Sequence, residues 1–136
     1  MNDGARVFEH VTQRLKALAD TRDKLKVSFG RLSGPEYQSL LTAAELVILD
    51  QSPDYYHDME SGLANDCVRL KVPFLIPDGT LTARMLTACG GENFVFDGRR
   101  DLMTKLHKFH EDISATQRDF ETVAKRYVTM LEYPPV

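Results

Sequence analysis

The sequence predicts an α/β protein: a Rossmann-like, three-layer α/β/α arrangement around a mostly parallel sheet of about four to five strands. Three observations predict it. Short apolar runs alternate with amphipathic segments of helical spacing, the order of βαβ units. One run, LVILD at Leu46–Asp50, has no polar alternation, as expected of a strand covered on both faces. Turn and cap residues stand between the runs: Ser33 with Glu36, Pro77-Asp78-Gly79 and Gly90-Gly91.

Taken in order, Val7, Phe8, Val11, Leu15 and Leu18 recur at helical spacing and predict a helix from about Gly4 to Ala19. LKVSF, Leu25–Phe29, predicts a short strand closed by Gly30. Ser33 stands three before Glu36 with Pro35 between them, a capping-box start to a helix running through Tyr37, Leu40, Leu41 and Ala44. After LVILD, a polar loop from Gln51 to Glu60 leads to a helix over about Ser61–Leu70. PFLI, Pro73–Ile76, is the next strand, followed by a helix over about Thr80–Cys89. NFVF, Asn93–Phe96, is the fourth strand, and Asp97-Gly98 turns the chain into helix for the remainder. There, Phe120, Val123, Ala124, Tyr127, Val128 and Leu131 form an apolar stripe, read either as core or as a surface that docks another domain.

At 136 residues and with no linker or repeat, the chain reads as one domain over 1–136. A hydrophobic share of 43% with 27% charged residues speaks for a packed core rather than disorder. No apolar run approaches the length of a membrane span, and the start MNDGARVFEH lacks the layout of a signal peptide. The net charge of −3, with Lys and Arg scattered, gives no footprint for a nucleic-acid polymer. Cys67 and Cys89 fit neither a metal spacing nor a disulfide framework, and read as buried, reduced thiols of a cytoplasmic protein. His107 and His110 are three apart on a helix, but no third metal ligand accompanies them; no metal and no cofactor is expected.

Ligands of a parallel sheet gather at the carboxyl ends of its strands. Of the loops there, DQSPDYYHDMESGLANDC carries the densest chemistry. Ser61-Gly62 opens a helix, so unpaired amides and a positive dipole end face that edge and suit an anion. Gly62 permits close approach, and Asp66, a turn further in, is placed to accept hydrogen bonds from vicinal hydroxyls. The plainer reading is an N-cap, a packing glycine and a solvated acid. Tyr55, Tyr56 and His57 lie in the same loop, either as ligand contacts or as packing and surface residues.

Residues Leu32-Ser33, Glu36-Tyr37, Ala44-Glu45, Tyr56, Ser61-Gly62, Asp66, Pro73 and Pro77 occur in an order and spacing that carry a resemblance. The stretch from about Leu25 to Thr80, and loosely to Leu106, resembles the donor-binding half of GT-B fold glycosyltransferases of the large retaining, group 1 type. The resemblance implies one half of a two-domain enzyme of polysaccharide biosynthesis. Such an enzyme moves a sugar from a nucleoside-diphosphate donor to a glycan or lipid-linked acceptor. It implies that Ser61, Gly62 and Leu63 hold the donor diphosphate and that Asp66 holds the ribose. Asp58, eight before Asp66, would stand near the transferred sugar. Tyr56 and the Gly30–Glu36 loop, with Arg31 and Ser33, would complete the donor site. The partner would be an N-terminal, acceptor-binding half, without which the domain would not turn over.

The sequence departs from that pattern in places. Both motif acids are Asp where the family usually has Glu, Met59-Glu60 replaces a basic residue before Ser-Gly, and Lys71 replaces the usual Gly before the next strand. The Arg and Lys that many members of the family place after their first strand and helix are not assigned to residues here. The alternative is a non-catalytic nucleotide-binding or regulatory α/β module of flavodoxin-like or TIR-like type. Opening on a helix, with no strand before it, the chain is also expected to self-associate as a two-fold dimer.

Overall fold

The computed structural model describes residues 3–26 and 31–133. The chain forms two compact units, Met1–Ser33 and Gly34–Val136. The first contains α1, Asp3–Thr21, which ends in a turn where the Leu25 amide donates to the Arg22 carbonyl at 3.1 Å. The expected strand Leu25–Phe29 falls on 27–29 and so lies outside the described residues, as does Gly30.

The second unit is mostly helical around a small parallel sheet, an α/β fold in the coarse sense. Its elements are α2 (Gly34–Ala43), β1 (Val47–Ile48), α3 (Pro53–Tyr56), α4 (Gly62–Leu70), β2 (Phe74–Pro77), α5 (Leu81–Ala88), β3 (Val95–Phe96), α6 (Gly98–Glu111) and α7 (Ile113–Glu132). The strands lie in the order β1-β2-β3, all parallel. β2 is shared in halves: Phe74 and Leu75 face Val47 and Ile48, while Ile76 and Pro77 face Val95 and Phe96.

Helix boundaries follow the cap chemistry. Ser61 caps α4 by accepting the Ala64 amide at 3.1 Å, and Thr80 caps α5 by accepting the Ala83 amide at 3.0 Å. Asp112 caps α7 in the same way through the Ala115 amide. α4 closes with the Val72 amide on the Cys67 carbonyl and the Lys71 amide on the Val68 carbonyl, which puts Lys71 in the left-handed region at φ 58°.

The core lies where α7 crosses α4 and α5 over the sheet. Phe74, Ile76, Val68, Cys67, Leu86, Phe120 and Tyr127 are fully buried there. The α7 stripe is therefore core: Phe120, Val123, Ala124 and Tyr127 are buried, and Val128 and Leu131 pack against them. The reading of that stripe as an uncovered docking surface is corrected by this packing.

Three further expectations change. β1 is not covered on both faces: Ile48 is 44% exposed, while Leu49 beside it is buried, because within the second unit only one face of the strand is packed by helices. The loop before α4 holds a helix of its own, α3, started by extended Ser52 and by Pro53 in the first turn. The first half of the strand expected at Asn93–Phe96 is a 3-10 turn, Glu92–Phe94, closed by the Phe94 amide on the Gly91 carbonyl. That turn swings Phe94 inward, where its ring meets Phe120 edge-on.

Candidate functional site

The loop from Leu49 to Ser61 follows β1 and the Asp78–Thr80 turn follows β2, so both lie at the carboxyl edge of the sheet. α4 and α5 start from them and direct their first amides to that edge. At the start of α4, Ala64 and Asn65 donate to the Ser61 side chain and carbonyl. The amides of Gly62 and Leu63 have no acceptor among the described residues. Gly62 is exposed, and the space its missing side chain would fill is open.

Ser61 itself is buried, and its hydroxyl oxygen also accepts from Gln51 Nε2 at 2.8 Å. Its side chain is thus committed to shaping the turn, and what faces the edge is backbone. Leu63 likewise sends its side chain towards the core. Among the described residues, the buried Gln51 Oε1 and Asn65 Oδ1 on either side of this cap have no hydrogen-bond partner.

Asp66, one turn into α4, accepts a 2.7 Å hydrogen bond from the Tyr37 hydroxyl of α2. Burial, then the hydrogen bond to Asp66 and its charge, push the Tyr37 phenol well above its ordinary range. Tyr37 and Asp66 line one groove between α2 and α4, about 270 Å³, with Gly34, Gln38, Arg69 and Leu70. Cys67, next along α4, is buried, and its thiol is pushed up to about 11 by burial and then by the Asp66 charge. It is inert as a nucleophile at neutral pH.

Asp58 is almost fully exposed and lies 3.7 Å from the Arg84 guanidinium and 3.8 Å from His57 Nε2. Arg84, on α5, donates to the carbonyl of His57 and approaches that of Gly79 at 3.5 Å. His57 Nδ1 is 3.2 Å from the same Gly79 carbonyl. One cation thereby ties the loop after β1 to the turn after β2. Tyr56 is half-buried on α3, its ring edge-on to Tyr55 at 5.0 Å.

Of the residues singled out in the sequence, Tyr56, Asp58, Ser61, Gly62, Leu63 and Asp66 all belong to the second unit, on the β1–α4 loop and the first turns of α4. Arg31 and Ser33 belong to the first unit, in exposed irregular chain ahead of α2. Sequence reasoning missed Arg84 as the loop clamp and Tyr37 as the partner of Asp66. Neither has a local signal; each is a helix residue whose partner lies 27 or 29 positions away.

Cys89 is buried, and His107 and His110 are exposed on α6. Among the described residues no group of three His, Cys, Asp or Glu is placed to hold a metal ion, and no helix is long and apolar enough to cross a membrane. No protein-family model matches the chain, and no curated protein and no solved structure matches it.

Proposed function

We propose that this chain is the nucleotide-sugar-binding domain of a glycosyltransferase, built on a Rossmann-like sheet of which β1, β2 and β3 are the described part. The observation that supports the reading best is the start of α4. Two acceptor-free amides, Gly62 and Leu63, sit at the carboxyl edge of a parallel sheet, one turn before a carboxylate that lines a groove. Amides and dipole suit a diphosphate, and a carboxylate suits ribose hydroxyls. In this reading Asp58 faces the transferred sugar, and Tyr56 borders the donor. The partner is an acceptor-binding half, the setting is the cytoplasm, and a two-fold dimer is the proposed assembly. No cofactor is needed beyond the nucleoside-diphosphate sugar.

Titration of the chain with UDP, GDP and ADP and their sugar conjugates, followed by NMR, tests the proposal. Binding of at least one, with a Kd on the order of tenths of millimolar because half a pocket would bind it, is the expected outcome. The amide shifts should cluster at 56–66. No shifts, or shifts elsewhere, overturn the assignment.

A second reading is favoured by a specific observation: both acids are already engaged within the chain, Asp66 by Tyr37 and Asp58 by Arg84. A nucleotide-binding or regulatory α/β module without chemistry of its own would use the same amides and leave Asp58 as part of the loop clamp. Loss of sugar discrimination, with UDP and UDP-sugars bound equally, would select it.

A further inference from the structure

The Tyr37 hydroxyl reaches 29 residues along the chain to place a 2.7 Å hydrogen bond on Oδ2 of Asp66. Among the described residues no other side chain bonds or pairs with that carboxylate, and Arg69, one turn on and lining the same groove, forms no ion pair with it. An acid on a helix surface ordinarily turns freely in water. This one is half-buried, held at one oxygen from a neighbouring helix, and left with its other oxygen unclaimed beside a groove of about 270 Å³. Tyr37 forms part of the wall of that same groove, so donor and carboxylate face one space.

We infer that Tyr37 is a positioning residue: by holding Oδ2 of Asp66 it presents the carboxylate to the vicinal hydroxyls of a ribonucleoside. The inference rests on the nucleotide-binding reading above and adds to it the residue that makes the groove discriminate ribose from deoxyribose. Two features make the phenol suited to the task. Its ring is fixed by packing, so little freedom is lost in holding the acid. Burial beside a carboxylate keeps its proton on through the neutral and mildly alkaline range, so the bond is always donated in one direction.

The alternative role is structural, a tie between α2 and α4 that contributes nothing to binding. Tyr37→Phe separates the two, since it keeps the ring and the groove wall and removes only the donor. Affinities for UDP, 2′-deoxy-UDP and pyrophosphate are to be measured by calorimetry or NMR for wild type, Tyr37→Phe, Asp66→Asn and the double variant, with thermal midpoints alongside.

The expected result is a roughly tenfold loss of UDP affinity in Tyr37→Phe, in line with removal of a hydrogen bond to a charged group. Preference for UDP over 2′-deoxy-UDP should fall towards one, pyrophosphate affinity should be unchanged, and Asp66→Asn combined with Tyr37→Phe should add little to Asp66→Asn alone. A lower midpoint with the ribose preference intact overturns the inference while leaving the nucleotide reading standing. Failure of the wild-type chain to bind any of the three overturns both.

Discussion

Phe120 of α7 meets Phe74 of β2 edge-on, with ring centroids 5.5 Å apart and planes at 73°. The same Phe120 ring is edge-on to Phe94 at 5.1 Å. One side chain on the last helix thus joins the central strand and the turn before β3, and it has no exposed surface.

Phe120→Ala is accordingly expected to destabilise the chain by about 3–5 kcal/mol, through lost burial and the cavity left between the two rings. Urea denaturation gives the number. A loss below about 1 kcal/mol would mean that α7 is peripheral to the fold, in conflict with its packing.

Gly91 makes a closer demand. A Cβ at this position would stand 2.8 Å from Cγ1 of Val123 and 3.0 Å from the Leu86 carbonyl oxygen. Gly91→Ala therefore forces α5 and α7 apart, at a cost of roughly 1–3 kcal/mol. Pairing it with Val123→Ala, which removes the nearer atom, should recover part of that cost, and unmixed additivity of the two losses would contradict the contact.

Lys71 runs the opposite way. It occupies a left-handed position, φ 58°, where a side chain is disfavoured. Lys71→Gly should stabilise the chain by about 0.5–1 kcal/mol, even after the added freedom of the unfolded state is counted. A lower thermal midpoint in the glycine variant would show that the Lys71 side chain contributes more than its backbone costs.

The alkaline limit of stability follows from buried thiols and phenols, Cys67 and Tyr127 foremost, with Cys89 also raised by burial. The Cys67 thiol is pushed up to about 11 by burial and the Asp66 charge, and the Tyr127 phenol to about 12, chiefly by burial. Both folded values lie above the unfolded ones, so above pH 9 the unfolded chain holds fewer protons than the folded one and stability falls as pH rises. Their contribution is whole below pH 9 and is lost between there and about pH 12. Cys67→Ala should flatten the part of the slope that starts near pH 9, measured as chemical-denaturation midpoints against pH; an unchanged slope would rule out the thiol as its source.

Much of this frame is written locally. Ser61, Thr80 and the Gly90-Gly91 pair mark helix ends that a reader of the chain can place, because a cap is chemistry within four residues. Pro53 after Ser52 is a helix-start signal of the same kind, and it announces α3 inside what otherwise reads as loop. Burial is less legible. Ile48 and Leu49 are equally apolar, yet one is exposed and one buried, since only the elements packed around them decide. Asn93 and Phe94 have strand composition, but the Gly91 turn and the pull of Phe120 wind them into a 3-10 turn instead. At the site, the α4 start was legible for the same reason as the caps. The Tyr37–Asp66 bond and the Arg84 clamp are products of helices meeting, and no spacing in the chain encodes them.

The halved register of β2 gives the carboxyl rim a stepped profile. β1 ends opposite Leu75, two residues short of Pro77, where β2 ends beside β3. At about 3.3 Å per residue the tread beside β1 lies about 7 Å below its neighbour. Pro53, at the start of α3, meets Gly79, where a Cβ would stand 3.2 Å from the Pro53 Cβ and φ is 88°, and Arg84 holds the far end of α3 through the His57 carbonyl. Surface loops usually tolerate changes of length. This one has its span set at both ends, by the Pro53–Gly79 contact and by the Ser61 cap, so deleting a residue between 54 and 60 would dislodge one or the other. The length of the segment is therefore part of the fold.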